Sequence, residues 1–189
     1  MKMIFLAAAA AIGVPAMAAP AAPVQTRDVP VNQFMGNRLP LPIALNVPVP
    51  VEYGPAKIQK IGYSYWMRPA DAATASADNL PSRNGYMYGS MATAVTYDAR
   101  HRVFYGIDDP GSLTKMKSAA TNIQVKPFKD AKHPAVLVSM VSRTTGQPAY
   151  FMYMATGRKN EVFYLAFRAP DGRQDVGDAV WAKLAAAIK

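Results

Sequence analysis

Hydrophobic positions alternate with a period of two along three stretches, Ala135 to Ser142, Ala149 to Thr156 and Glu161 to Arg168. They are separated by the turn segments Thr144-Thr145-Gly146 and Gly157-Arg158-Lys159-Asn160. Connections this short predict an antiparallel meander. In the third stretch Phe163, Leu165 and Phe167 fall on one face and Val162, Tyr164, Ala166 and Arg168 on the other. Neither face is strongly polar, so both are expected to be partly covered. One cover follows directly, because Val176, Val180, Trp181, Leu184 and Ile188 recur at helical spacing, with Asp175 and Asp178 early and Lys183 and Lys189 late. Trp181 is the expected anchor of that helix on the sheet.

Upstream the periods are shorter. Lys57 to Met67 carries Ile58, Ile61, Tyr63, Tyr65 and Trp66, a strand composition. Pro69 to Asn79 is Ala-rich but diluted by Thr, Ser and Asp, which suits a short helix or a loop equally. Asn84-Gly85 signals a tight turn. Tyr86 to Tyr97 and Arg102 to Gly106 read as strands joined at residues 98–101. After Asp108-Asp109-Pro110-Gly111, Ser112 is placed to cap a helix carrying Leu113, Met116 and Ala120 on one side. Ile123 to Phe128 resumes an extended pattern. The expected fold is α+β: an antiparallel β-sheet of meander and hairpins, covered by the amphipathic C-terminal helix and a short mid-chain helix.

The N-terminal part has a different texture. Lys2, the apolar run Ile4 to Ile12, Pro15 and Ala16-Met17-Ala18 read as a signal peptide over residues 1–18, cleaved after Ala18. The run is too short to span a bilayer, and no later segment is long and apolar enough to do so. The expected location is periplasmic or secreted, with no integral membrane span after cleavage. Prolines 20, 23, 30, 40, 42, 48 and 50 forbid helix through residue 54. Residues 19–42 are read as a Pro-rich leader and residues 43–189 as a single domain, in which Ile43 to Val51 forms an edge strand or an extended segment packed on the sheet. The chain has no cysteine. An exported domain of this kind must therefore stand on buried apolar surface, without disulfides.

Charge narrows the partners. The formal net charge of +9 falls to +8 when Lys2 leaves with the signal, a bias that favours an acidic protein or an anionic envelope component. The basic residues are scattered, with no block of like charge, so nucleic acid is not expected.

Candidate chemistry is thin. Ser112-Leu113-Thr114-Lys115 matches the S-x-x-K that opens a helix in penicillin-binding proteins and β-lactamases, but nothing after Lys115 supplies their further elements, and a plain helix cap explains Ser112 better. His101 and His133 have no evident orienting partner and read as surface histidines. With no cysteine and two distant histidines, zinc is not expected. Met152 and Met154 share one strand face, and Met87 and Met91 share another, so thioethers could meet around Cu(I) if those faces adjoined; methionine as core filler is the simpler reading. No cofactor is expected. Tyr63, Tyr65, Trp66, Tyr86, Tyr88 and Tyr97 offer aromatic surface for a glycan or peptide groove. Arg100, Arg102, Arg158 and Lys159 offer charge. The partner-binding candidates are accordingly Tyr63, Tyr65, Trp66, Arg100, Arg102, Arg158 and Lys159.

The order of elements over Ser90 to Tyr105, Ala135 to Arg168 and Val176 to Ile188 resembles the PsbP-like fold. That resemblance implies a small exported protein that works as a non-enzymatic partner or binder, and it transfers no functional residue. The reading of the chain is a non-catalytic binding protein of the cell envelope. The alternatives are an immunity-type protein that neutralises an exported toxin, and a small serine hydrolase using Ser112 and Lys115.

Overall fold

A computed structural model describes residues 23–35, 40–57, 64–76, 78–81 and 83–188. The segment read as a signal peptide, and Tyr63, lie outside the described residues. The main sheet is built from β3 (Gly54–Lys57), β4 (Ser64–Met67), β5 (Tyr86–Met91), β8 (Ala120–Phe128), β9 (Ala135–Ser142), β10 (Pro148–Ala155) and β11 (Val162–Arg168). It is antiparallel throughout and runs in the order β3-β4-β5-β11-β10-β9-β8. Its edge strands β3 and β8 carry Pro55 and Pro127. Proline at an edge removes a backbone donor that would otherwise invite another strand.

The meander appears as its alternation predicts, with Met152 opposite both Leu165 and Leu137. On that face Phe163, Leu165, Phe167, Tyr150, Met152 and Met154 are all buried. Helix α3 (Gln174–Ala187) covers them through Val176, Val180, Trp181 and Leu184. Trp181 lies 5.5 Å from the Tyr150 ring, and Tyr150 Oη donates to Asp178 Oδ1 at 2.8 Å.

The second part of this cover comes from residues read as leader. Strand β1 (Thr26–Pro30) pairs antiparallel with β2 (Asn46–Pro50) as a separate ribbon, with a 3-10 turn, Val31–Met35, between them. Val29, Val31, Phe34, Met35 and Leu41 are buried, so the loose leader must be corrected: residues 26–35 belong to the core. Of the two readings of Ile43 to Val51, the extended segment packed on the sheet is the one found: residues 46–50 pair in this ribbon and do not edge the main sheet. The prolines are compatible because the ribbon contributes side chains more than ladder bonds. Phe34 reaches the sheet where Gly89 leaves room, since a Cβ at Gly89 would sit 2.6 Å from Phe34 Cβ.

The opposite face has lighter cover. Helix α1 is a single turn, Pro69–Ala72, tied by Arg68 to Asp71 at 2.8 Å. A small ribbon of β6 (Thr96–Asp98) and β7 (Val103–Tyr105) lays Phe104 against a cluster that includes Val136, Val138 and Val162. Helix α2 (Pro110–Ala119) follows, with Leu113 and Met116 half-buried. Its N-cap is Asp109, whose Oδ1 accepts from Ser112 N at 3.0 Å. Capping by Ser112 is thus corrected: Pro110 takes the first helical position, which moves the cap one residue before it.

Candidate functional site

The partner-binding candidates separate into two groups. Tyr65 and Trp66 are buried, at 4% and 3% exposure, and offer nothing to a partner. Alternation along β4 sends Trp66 into the core beside Phe34 (5.2 Å) and beneath the Arg27 guanidinium (5.7 Å), while Tyr65 stacks on Tyr88 (5.1 Å) on the opposite face. The sequence shows strand-forming aromatics there, but not how well α1 and the ribbon cover them.

Arg100, Arg102, Arg158 and Lys159 are exposed, and the turns that carry them lie at one end of the sheet. The β8–β9 and β10–β11 connections lie at the same end of the sheet, because Ala135 pairs with Met154 and Ala155 with Val162. Ala155 N donates to Pro134 O at 2.9 Å and locks the two loops side by side. The β6–β7 turn joins them when Arg102 donates to Lys129 O at 2.6 Å and pairs with Asp130. Between the three loops is a cavity of about 270 Å³, whose rim includes Tyr97, Lys132, His133, Arg158, Lys159 and Glu161.

Two backbone devices aim the β10–β11 turn. Gly157 and Asn160 both adopt positive φ, at 86° and 58°, which folds the chain back within four residues. Thr156 Oγ1 then donates to Glu161 Oε2 at 3.1 Å and accepts from Arg158 N at 3.2 Å. Glu161 is thereby held close enough to meet Arg158 at 3.6 Å, and Arg158 also donates to Pro40 O at 3.3 Å. None of the ion pairs among the described residues involves Lys132 or Lys159. Cations outnumber carboxylates at this end of the molecule. The arrangement suits an anionic group, and Tyr97 adds an aromatic wall.

His101 has the orienting partner that the sequence did not reveal. Its Nδ1 lies 2.7 Å from Asp98 Oδ2, while Asp98 Oδ1 accepts from the N–H groups of Arg100 (2.8 Å) and His101 (3.1 Å). The His101 side-chain bond, followed by its backbone bond, holds the Asp98 carboxyl below its usual range. His133 is half-buried in the cavity wall.

Ser112 is bonded to Asp109 through both its N–H and its side chain, contacts that pull the Asp109 carboxyl down to about 2. The methionines do not adjoin, because β11 lies between β5 and β10 and interposes Phe163, Leu165 and Phe167. Met87 and Met152 are fully buried in the apolar core. Among the described residues, no group of three or more His, Cys, Asp or Glu side chains is placed to hold a metal ion.

No family model matches the chain, and no curated protein sequence matches it. Among solved structures, the crystal structure of LpqN, involved in cell envelope biogenesis of Mycobacterium tuberculosis, is similar to this chain with 14% sequence identity and a TM-score of 0.41. The alignment covers 85% of this chain and 87% of LpqN. The PsbP-like resemblance finds no matching family in these comparisons. No helix among the described residues is long and apolar enough to cross a membrane.

Proposed function

We propose that this domain is a non-catalytic binding module of the cell envelope that captures an anionic component through its basic loop end. The observation that carries this reading is the convergence of three turns, distant in sequence, that place Lys132, His133, Arg158 and Lys159 around one cavity. Scattered surface lysines would not need a shared backbone framework. Here the Ala155 to Pro134 bond and the Arg102 to Lys129 bond supply one. An immunity-type role is the version in which the acidic surface belongs to an exported toxin.

The serine hydrolase alternative has less support. Ser112 spends its hydrogen bonds on Asp109 at a helix start, and a nucleophile needs a base positioned for its proton. Labelling by a serine-reactive probe that disappears in Ser112→Ala would restore it.

Titration with dextran sulfate against uncharged dextran tests the binding reading. Binding should be confined to the sulfated polymer and weaken with salt, because exposed charges are screened over about 8–10 Å at physiological ionic strength. Arg158→Glu with Lys159→Glu should lower affinity by about tenfold or more, equivalent to about 1.4 kcal/mol. A double variant that binds as tightly as the parent would refute the assignment to this end of the sheet.

A further inference from the structure

The lightly covered face holds a second hollow, of different chemistry, between the sheet and the segment that climbs from β5 to β6. Its volume is about 300 Å³, and its lining includes Tyr88, Ser90, Tyr153 and Tyr164 from the sheet and Thr93 and Ala94 from the climbing segment. The depression has a sequence origin. Tyr164 is flanked across the strands by Ser90 and Tyr153, so the small Ser90 side chain lies beside a phenol pair and leaves space over the sheet. Ala92 N donates to Val162 O at 2.8 Å, which pins the start of the climbing segment and fixes one wall.

We propose that this hollow binds a neutral sugar ring. No Lys, Arg, His, Asp or Glu lines it, so neither anions nor cations find a counter-charge there. What it offers is aromatic surface with hydroxyl tips. The Tyr88 and Tyr164 rings meet edge to face at 5.6 Å, those of Tyr153 and Tyr164 lie 5.0 Å apart, and Tyr88 Oη donates to Tyr164 Oη at 3.3 Å. A pyranose carries the matching pattern, with apolar C–H faces and a girdle of hydroxyls. Phenols suit both parts because each has an apolar body and a polar tip. The size is at the lower end of ligand pockets, which span about 300–1,000 Å³, and suits a short segment of glycan better than a large ligand. Burial raises the Tyr153 phenol to about 12 and raises that of Tyr164 as well, so both keep their donor protons at physiological pH.

This site is separate from the basic loop end, and the two can fail independently. The test uses the full chain with three uncharged probes, maltotriose, cellotriose and chitotriose, followed by tyrosine fluorescence and by saturation transfer to the sugar protons. At least one probe should bind with an affinity on the order of millimolar or better. Its binding should be insensitive to salt and unchanged by Arg158→Glu with Lys159→Glu. Tyr88→Phe and Tyr153→Phe, which keep the rings and the packing, should each weaken it severalfold. Tyr153→Ala should abolish it, with circular dichroism verifying the fold. Absence of saturation transfer from all three probes up to ~10 mM would overturn the proposal. So would binding that is indifferent to the tyrosine substitutions, or binding that requires a charged sugar.

Discussion

The Tyr150 ring lies directly over Gly177, so close that a Cβ at Gly177 would overlap the ring. This contact sets the approach of α3 to the sheet, and the Tyr150 hydroxyl completes it by donating to Asp178 Oδ1 at 2.8 Å. In an exposed helix glycine is worse than alanine by roughly 1 kcal/mol, so propensity alone would make Gly177→Ala stabilising. Overpacking should reverse the sign. Urea unfolding of Gly177→Ala is expected to show a net loss of about 1–3 kcal/mol, and the loss should shrink in a Tyr150→Val background, where the ring is gone.

Trp181 tests the same interface from the helix side. It is 8% exposed and packs on Tyr150. Trp181→Ala should cost about 3–5 kcal/mol by chemical denaturation. A thermal midpoint equal to that of the parent would show that α3 does not carry the sheet's cover.

Stability should fall in alkali. Burial is the main cause that raises the phenols of Tyr53, Tyr150, Tyr153 and Tyr164, with Tyr153 reaching about 12. In the unfolded chain a phenol titrates near 10. Above about pH 10 the unfolded state releases protons that the folded state retains, so unfolding is favoured there. The contribution is complete below about pH 10 and is lost as pH rises toward about 12. Denaturation midpoints followed from neutral pH upward should decline over that range, and Tyr153→Phe should reduce the slope.

At the acid end, Asp109 should report the start of α2. Its carboxylate accepts from Ser112 N at 3.0 Å and from Gly106 N at 2.8 Å, and its carboxyl lies at about 2 against an ordinary value of 3.8. Because the folded value is depressed, this contribution is present above pH 3.8 and is lost as pH falls through about 2. NMR titration should place Asp109 below the other aspartates that lack such bonds. Asp109→Ala should speed amide exchange at Gly106 and Ser112, whereas Ser112→Ala keeps the backbone bond and should change it less.

The parts legible in the sequence are those whose signal is local. Alternation around Phe163, Leu165 and Phe167 specifies β11 and its buried face, and the spacing of Val176, Val180 and Leu184 specifies α3. Pairing of β5 with β11, by contrast, joins Gly89 to Leu165 across the chain, and no short-range pattern encodes it. The proline-laden segment before residue 43 reads as leader because proline reports on backbone donors alone; the apolar residues between the prolines, Val29, Val31, Phe34 and Leu41, are what join it to the core. Arg100, Arg102, Arg158 and Lys159 are legible as charged turn residues, but the gathering of their turns at one end of the sheet depends on hairpin registers. Tyr153 and Tyr164 were legible only as strand residues. The small partner Ser90, which lines the hollow beside them, becomes meaningful once the strands are paired.

Helix α3 follows every other element among the described residues, yet it packs on the β1–β2 ribbon as well as on the sheet. Lys183 Nζ donates to Thr26 Oγ1 at 2.7 Å, and Val180 and Leu184 share one cluster with Val47 and Val49. During synthesis from the N-terminus, the earliest residues of the core must therefore wait for the latest. A growing chain can assemble hairpins, but it cannot close this core until α3 has left the ribosome.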